Sequence, residues 1–238
     1  MDPSTLAREI DEALRAEGVP ERAEQERRYL KSEIEHYGVS VPKVRAVATR
    51  VRRNHPDLDH DGLVALADEL WDVPVHERRM AVVELLDLYS GLLGTTDMGL
   101  LERLLRESRT WALVDGLSAS VVGALVERDE VAAAVLDRWA TDDDFWIRRS
   151  ALLALLVPLR QGGGDFERFG RYADAMLEEK EFFIRKAIGW VLRDTARKRP
   201  DLVYEWLLPR VHRASGVTVR EAVKPLSEDQ RAAILAAR

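Results

Sequence analysis

The chain contains no cysteine. That absence excludes disulfides, thiolate zinc centres and cysteine nucleophiles together. No apolar run is long enough to span a membrane, and the N-terminus lacks the pattern of a signal peptide, so the expectation is a cytoplasmic protein with no membrane partner. No stretch alternates apolar and polar residues as a half-buried strand does. Lysine is scarce, occurring only at Lys31, Lys43, Lys180, Lys186, Lys198 and Lys224, so most of the 36 basic residues are arginines. Arginine suits planar, two-pronged contact with carboxylate or phosphate. Against these stand 42 acidic residues and a net charge of -6, which argues against a protein that coats nucleic acid without discrimination, although a local basic face can coexist with an acidic average. No serine nucleophile motif or dinucleotide fingerprint occurs, and Gly162-Gly163-Gly164 lacks the following Lys-Ser/Thr of a phosphate cradle and reads as an interhelix loop. His55, Asp57, Asp59, His60 and Asp61 crowd one solvated turn without helical histidine spacing, so neither a metal nor another cofactor is expected.

What remains is helix. Residues 1–20 read as a peripheral N-terminal amphipathic helix through Leu6, Ile10 and Leu14, stopped by Gly18 and Pro20. A second helix is predicted over 21–36, closing at Tyr37-Gly38, and a third over 44–53. Further helices are predicted over 61–71, 75–89, 98–106, 110–128, 131–140, 145–160, 166–177, 182–198, 201–208 and 228–237. Their starts repeat. Phe145-Trp146-Ile147-Arg148-Arg149-Ser150-Ala151 aligns with Phe182-Phe183-Ile184-Arg185-Lys186-Ala187-Ile188 about 37 residues on, and with Val75-His76-Glu77-Arg78-Arg79-Met80-Ala81 at about twice 35. A period near 35 to 40 with two helices per unit is the mark of an all-α, HEAT-like helical-repeat solenoid with a concave ligand face. The expectation is one domain over residues 1–238, monomeric.

Two helix faces carry chemistry. In 110–128 the apolar stripe is Val114, Leu117, Val121 and Leu125, while Trp111 and Asp115, four apart, project together about a quarter turn away. Such a pair alone is also what a half-buried indole beside a surface carboxylate looks like. In 182–198 the stripe is Ile184, Ile188, Val191 and Leu192, and a second face carries Lys186, Trp190, Arg193 and Arg197 at i, i+4, i+7 and i+11. Cations broken by an indole suit a phosphate backbone with an exposed base or sugar; a snorkelling surface around a packed tryptophan has the same pattern. Asp142-Asp143-Asp144 precedes Arg148 and Arg149 and is read as serving a helix N-terminus.

Tyr29, Trp71-Asp72-Val73-Pro74, Trp111 to Asp115, Phe145 to Arg149, and Lys180 to Arg193 followed by Arg199-Pro200-Asp201 resemble, in order and spacing, the AlkD-like bacterial alkylpurine DNA glycosylases of the DNA alkylation repair family. The resemblance spans about residues 20–225. It implies an enzyme that hydrolyses the N-glycosidic bond of cationic N3- or N7-alkylated purines in double-stranded DNA, without flipping the base out. It further implies Asp115 as the catalytic carboxylate and Trp111 and Trp190 as indoles flanking the lesion's sugar and backbone. Arg149 would grip the DNA backbone and Tyr29 would line the cleft. Lys186, Arg193, Arg148 and Arg197 would be further backbone contacts. Thr110 and Ala112 depart from residues frequent in the family, and 159–165 lacks lysines that relatives carry. Two alternatives stand beside this reading: a non-catalytic module binding damaged or branched DNA, and a protein-interaction scaffold favoured by the acidic net charge. Because Asp115 and Arg149 lie off the apolar stripes, their substitution is expected to cost activity rather than fold.

Overall fold

A computed structural model of the chain describes residues 2–238. The fold is all-α: among the described residues the only extended pairing is an isolated bridge between Glu35 and Val75, and no helix is long and apolar enough to cross a membrane. The chain divides into two compact units, the first ending at Asp97 and the second comprising Met98–Arg238.

The first unit holds α1 (Pro3–Ala16), α2 (Pro20–Leu30), α3 (Val41–Asn54), α4 (His60–Asp72) and α5 (His76–Leu88). Capping sets these starts: prolines occupy the first turns of α1, α2 and α3, and the Asp2 and Asp59 carboxylates accept from Thr5 and Gly62 amides. Leu6, Ile10 and Leu14 are buried as the sequence pattern requires, and α1 packs on α4 while α3 packs on α5. The helix predicted over 21–36 instead ends at Leu30, where Lys31 turns left-handed with φ 51°. Residues 32–40 then form a loop seated on α5, because the buried Glu77 carboxylate accepts the amides of Tyr37, Gly38 and Val39. Gly38, at φ 79°, has no room for a side chain: a Cβ there would lie 2.1 Å from the Val19 carbonyl oxygen. The turn 55–61 is structural, with His60 bridging Asp61 and Asp97.

The second unit contains α6 (Met98–Ser108), α7 (Trp111–Gly116), a wider π-helical stretch (Leu117–Val122), α8 (Gly123–Arg128), α9 (Glu130–Trp139), α10 (Phe145–Leu153), α11 (Leu156–Gln161) and α12 (Phe166–Ala175), followed by α13 (Phe182–Ala196), α14 (Pro200–Leu207), α15 (Gly216–Ala222) and α16 (Glu228–Ala236). Two predicted helices are thus subdivided. The 110–128 helix changes pitch after Gly116, and the 145–160 helix breaks at Ala154-Leu155, just before Pro158. Val114, Leu117, Val121 and Leu125 are buried, as are Ile184, Ile188, Val191 and Leu192, so both apolar stripes face the core as expected.

Long-range polar contacts follow the spacing read from the sequence. Side chains meet across 34 residues (Asp115 and Arg149; Arg160 and Asp194), 35 (Asp137 and Tyr172; Lys186 and Glu221) and 36 (Arg106 and Asp142; Asp174 and Arg210). The first arginine of each aligned helix start does one job: Arg78 donates to the carbonyls of Glu69 and Leu70, Arg148 to those of Asp142 and Asp143, and Arg185 to that of Glu179. Each guanidinium closes off carbonyls in the segment before its own helix, which otherwise lack partners.

Candidate functional site

Asp115 sits on the last turn of α7, immediately before the π stretch, with Trp111 one turn earlier on the same face. The Thr110 hydroxyl starts this helix by accepting the Ala112 amide. The Asp115 side chain is 17 % exposed and is held by both prongs of Arg149 from α10, Nε to Oδ1 at 2.8 Å and Nη2 to Oδ2 at 2.9 Å. Burial pushes the Asp115 carboxyl above the ordinary aspartate range, and the Arg149 fork opposes that shift by favouring the ionised form. Each oxygen accepts one guanidinium N–H and retains a further lone pair.

Arg149 is itself only 3 % exposed. Its remaining reach is taken by the Phe183 carbonyl, 2.5 Å from Nη1, and its guanidinium lies 5.8 Å from the centre of the Phe183 ring. Phe183 in turn packs against Trp146 at 4.8 Å between centroids. The residue expected to grip a DNA backbone is therefore a buried positioning group for the carboxylate. Phe183, its support, was visible in the sequence only as the counterpart of Trp146 in the repeat.

Trp190 lies on α13, half-buried, and its indole N–H donates to Asp194 Oδ2 at 3.0 Å. Asp194 also accepts from Arg160 and Arg193. Burial raises its carboxyl, but Arg193 and Arg160 outweigh burial and hold it below the ordinary value. Lys186 and Arg193 are not bare cations: both pair with Glu221 of α15, Lys186 Nζ at 2.9 Å. The Lys186 hydrogen bond leads a set that holds the Glu221 carboxyl down at about 2, against the cost of its burial. Asp194 and Glu221 were missed in the sequence, although Asp194 stands four residues after Trp190 and Glu221 stands one repeat period after Lys186.

Arg148, expected on the DNA face, is spent internally: besides the two carbonyls above it forms a two-pronged pair with Glu179 at 3.0 and 2.8 Å. Its neighbour Asp142 accepts from Arg106, and Asp144 caps α10 through the Trp146 amide, which fits the reading of that acidic triplet. Arg197, just past the end of α13, is exposed. Tyr29 is 73 % exposed on α2 of the first unit. The second unit thus brings together Asp115, Arg149, Phe183 and, through Asp115's own helix, Trp111. Lys186, Trp190 and Arg193 form a neighbouring cluster on α13, balanced by Asp194 and Glu221.

Residues 10–226 match the family model described as DNA alkylation repair enzyme. Among solved structures, a predicted DNA alkylation repair enzyme from Enterococcus faecalis is similar at a TM-score of 0.80 and 20 % identity, covering 89 % of this chain and 98 % of that one. AlkD2 from Streptococcus mutans is similar at a TM-score of 0.62 and 19 % identity, covering 86 % of this chain and 99 % of that one. At these identities the likeness concerns the fold. No curated protein sequence matches the chain.

Proposed function

The chain belongs to the DNA alkylation repair enzyme family, and from that premise we propose that it is a DNA glycosylase hydrolysing the N-glycosidic bond of cationic N3- or N7-alkylated purines in duplex DNA. The observation that carries this reading is the Asp115 carboxylate, largely buried, fixed by the Arg149 fork and sharing a helix face with Trp111. An alkylated purine already bears positive charge and leaves without being protonated. What the reaction requires is support for the positive charge that develops at the sugar, and a water held for attack at C1′. As the C1′–N bond breaks, its electron pair goes to the purine and neutralises it. The water oxygen bonds to C1′ and gives up a proton through the Asp115 carboxylate, whose spare lone pairs face that role. Indole faces of Trp111 and Trp190 favour cationic sugar character, and the Asp194 hydrogen bond keeps the Trp190 ring from turning. Nothing in this chemistry requires a base-sized pocket or a bound metal.

The test is release of methylated purines from alkylated duplex DNA by the wild type and by Asp115→Asn. Release by the wild type that drops by about two to three orders of magnitude in the variant supports the assignment. One observation favours a second reading: Lys186, Arg193 and Arg148 are all paired with carboxylates, which lowers the field available to phosphates. A folded wild type that releases no base yet binds duplex DNA in a salt-sensitive way would be a binding module for damaged or branched DNA. Loss of DNA binding altogether would leave the protein scaffold.

A further inference from the structure

The first unit contains a polar cluster that the glycosylase chemistry does not use. Glu26 of α2, His36 of the 32–40 loop and Glu77 of α5 each offer a ligand atom, and these atoms all lie within 4.8 Å of one another. His36 is 8 % exposed, and neither of its ring nitrogens has a hydrogen-bond partner. A buried imidazole in that state has lost its water without gaining a partner, which is unfavourable until something fills the place. Its ring is held by a parallel stack on His76, 4.5 Å between centroids and 11° apart, so it cannot swing toward solvent without breaking that contact.

The carboxylates have capacity to spare. Among the described residues, Glu77 Oε1 accepts the amides of Gly38 and Val39, and Oε2 accepts that of Tyr37, the residue next to His36. One lone pair on Oε2 remains. Glu26 gives one oxygen to Arg22 and keeps the other. We propose that Glu26, His36 and Glu77 form a structural site for a divalent transition-metal cation of the zinc class. One neutral imidazole and two carboxylates give an uncharged site around a doubly charged ion. Nitrogen in the set disfavours magnesium and calcium, which take oxygen ligands in larger number. Ligand bonds of about 2.0–2.2 Å require the three atoms to draw closer than the 4.8 Å that now bounds them, and Glu26, on a surface helix, is the side chain that would move, keeping or giving up its Arg22 pair.

The site also answers a packing question. α2 is an 11-residue helix with no buried residue, and an isolated helix of that length is marginal in water. A cation shared by Glu26, His36 and Glu77 ties α2 to the loop and to the first turn of α5, and so fixes the element that presents Tyr29.

The experiment titrates zinc chloride into the chelator-stripped full-length protein, with calorimetry, thermal unfolding and amide hydrogen exchange as readouts. The expected result is one equivalent bound, a raised unfolding midpoint and slowed exchange in α2. Glu26→Gln and His36→Phe should each weaken zinc binding by about tenfold or more, while His60→Gln, which alters the separate turn with Asp61 and Asp97, should leave it unchanged. His36→Phe keeps the stack and removes both unpartnered nitrogens, and Glu26→Gln changes only a surface helix, so the two do not share a folding risk. A folded wild type that binds no stoichiometric zinc overturns the proposal, as does zinc binding of equal strength in wild type, Glu26→Gln and His36→Phe; either result would assign the His36 nitrogens to buried water.

Discussion

At the scale of single residues, the pairing of Asp115 with Arg149 changes what substitution should do. The sequence places both off the apolar stripes, which suggests that either can be replaced without harm to the fold. Arg149 is nevertheless buried among α7, α10 and the start of α13. Removing one partner of a buried ion pair strands the other charge and typically costs about 3–5 kcal/mol. Arg149→Ala should therefore lower both the unfolding free energy and base release, whereas Asp115→Asn, which leaves the guanidinium an amide oxygen to bond, should lower release far more than stability. Denaturant unfolding beside activity separates the two. The double variant Asp115→Ala/Arg149→Ala should be more stable than the sum of the single losses predicts, because neither charge is then stranded. Additive losses would show that the pair is not coupled.

At the scale of elements, α13 and α15 decide how the Trp190 face is presented. Gly189 lies at their contact, where an added Cβ would sit 2.9 Å from Glu221 Cβ and 3.1 Å from Thr218 backbone atoms. Gly189→Ala should force the helices apart at a cost of about 1–3 kcal/mol, read as a lower thermal midpoint, and should disturb the neighbouring Trp190. Glu221 gives this contact a pH dependence. Its carboxyl lies at about 2 in the folded protein against an ordinary 4.5, held down first by Lys186. A depressed folded-state value means stability that is fully present above about 4.5 and lost as pH falls toward 2. The gap in thermal midpoint between wild type and Glu221→Gln should accordingly be widest at neutral pH and narrow across that interval; a constant gap would place the stabilisation elsewhere.

How much of this was legible follows from the kind of signal each feature leaves. The all-α fold was readable from helical periodicity, and the spacing at which starts such as Phe145 to Ala151 and Phe182 to Ile188 recur in the sequence is also the spacing of hydrogen bonds 34 to 36 residues apart. Both apolar stripes were readable from helical periodicity. The pairing state of the cations was not. A cationic stripe looks the same whether solvent or a carboxylate from another helix faces it, so Lys186 and Arg193 read as open contacts until Glu221 is placed opposite. The loop at 32–40 was hidden for a related reason: its helix-like sequence is overridden by three amides turning toward a buried glutamate about 40 residues away.

For the molecule as a whole, charge sets the terms on which DNA can bind. The net charge is -6, and of the basic residues expected to meet phosphates, Arg148, Arg149, Lys186 and Arg193 are each engaged by a carboxylate. Each phosphate neutralised adds about -0.9 to the slope of log affinity against log salt. With most of these cations committed internally, the wild type should show a shallow slope and weak affinity for unmodified duplex, so that recognition depends on contacts at the lesion rather than on the backbone field. Glu221→Gln removes the charge that restrains Lys186, Arg193 and Lys224. It should raise affinity for unmodified duplex at low salt and steepen the slope by about 1–2. Fluorescence anisotropy across a salt series measures both quantities. A slope in the wild type already as steep as that of the variant would mean that DNA draws these cations away from Glu221 on binding, and the ion pairs would then be a resting arrangement that the duplex displaces.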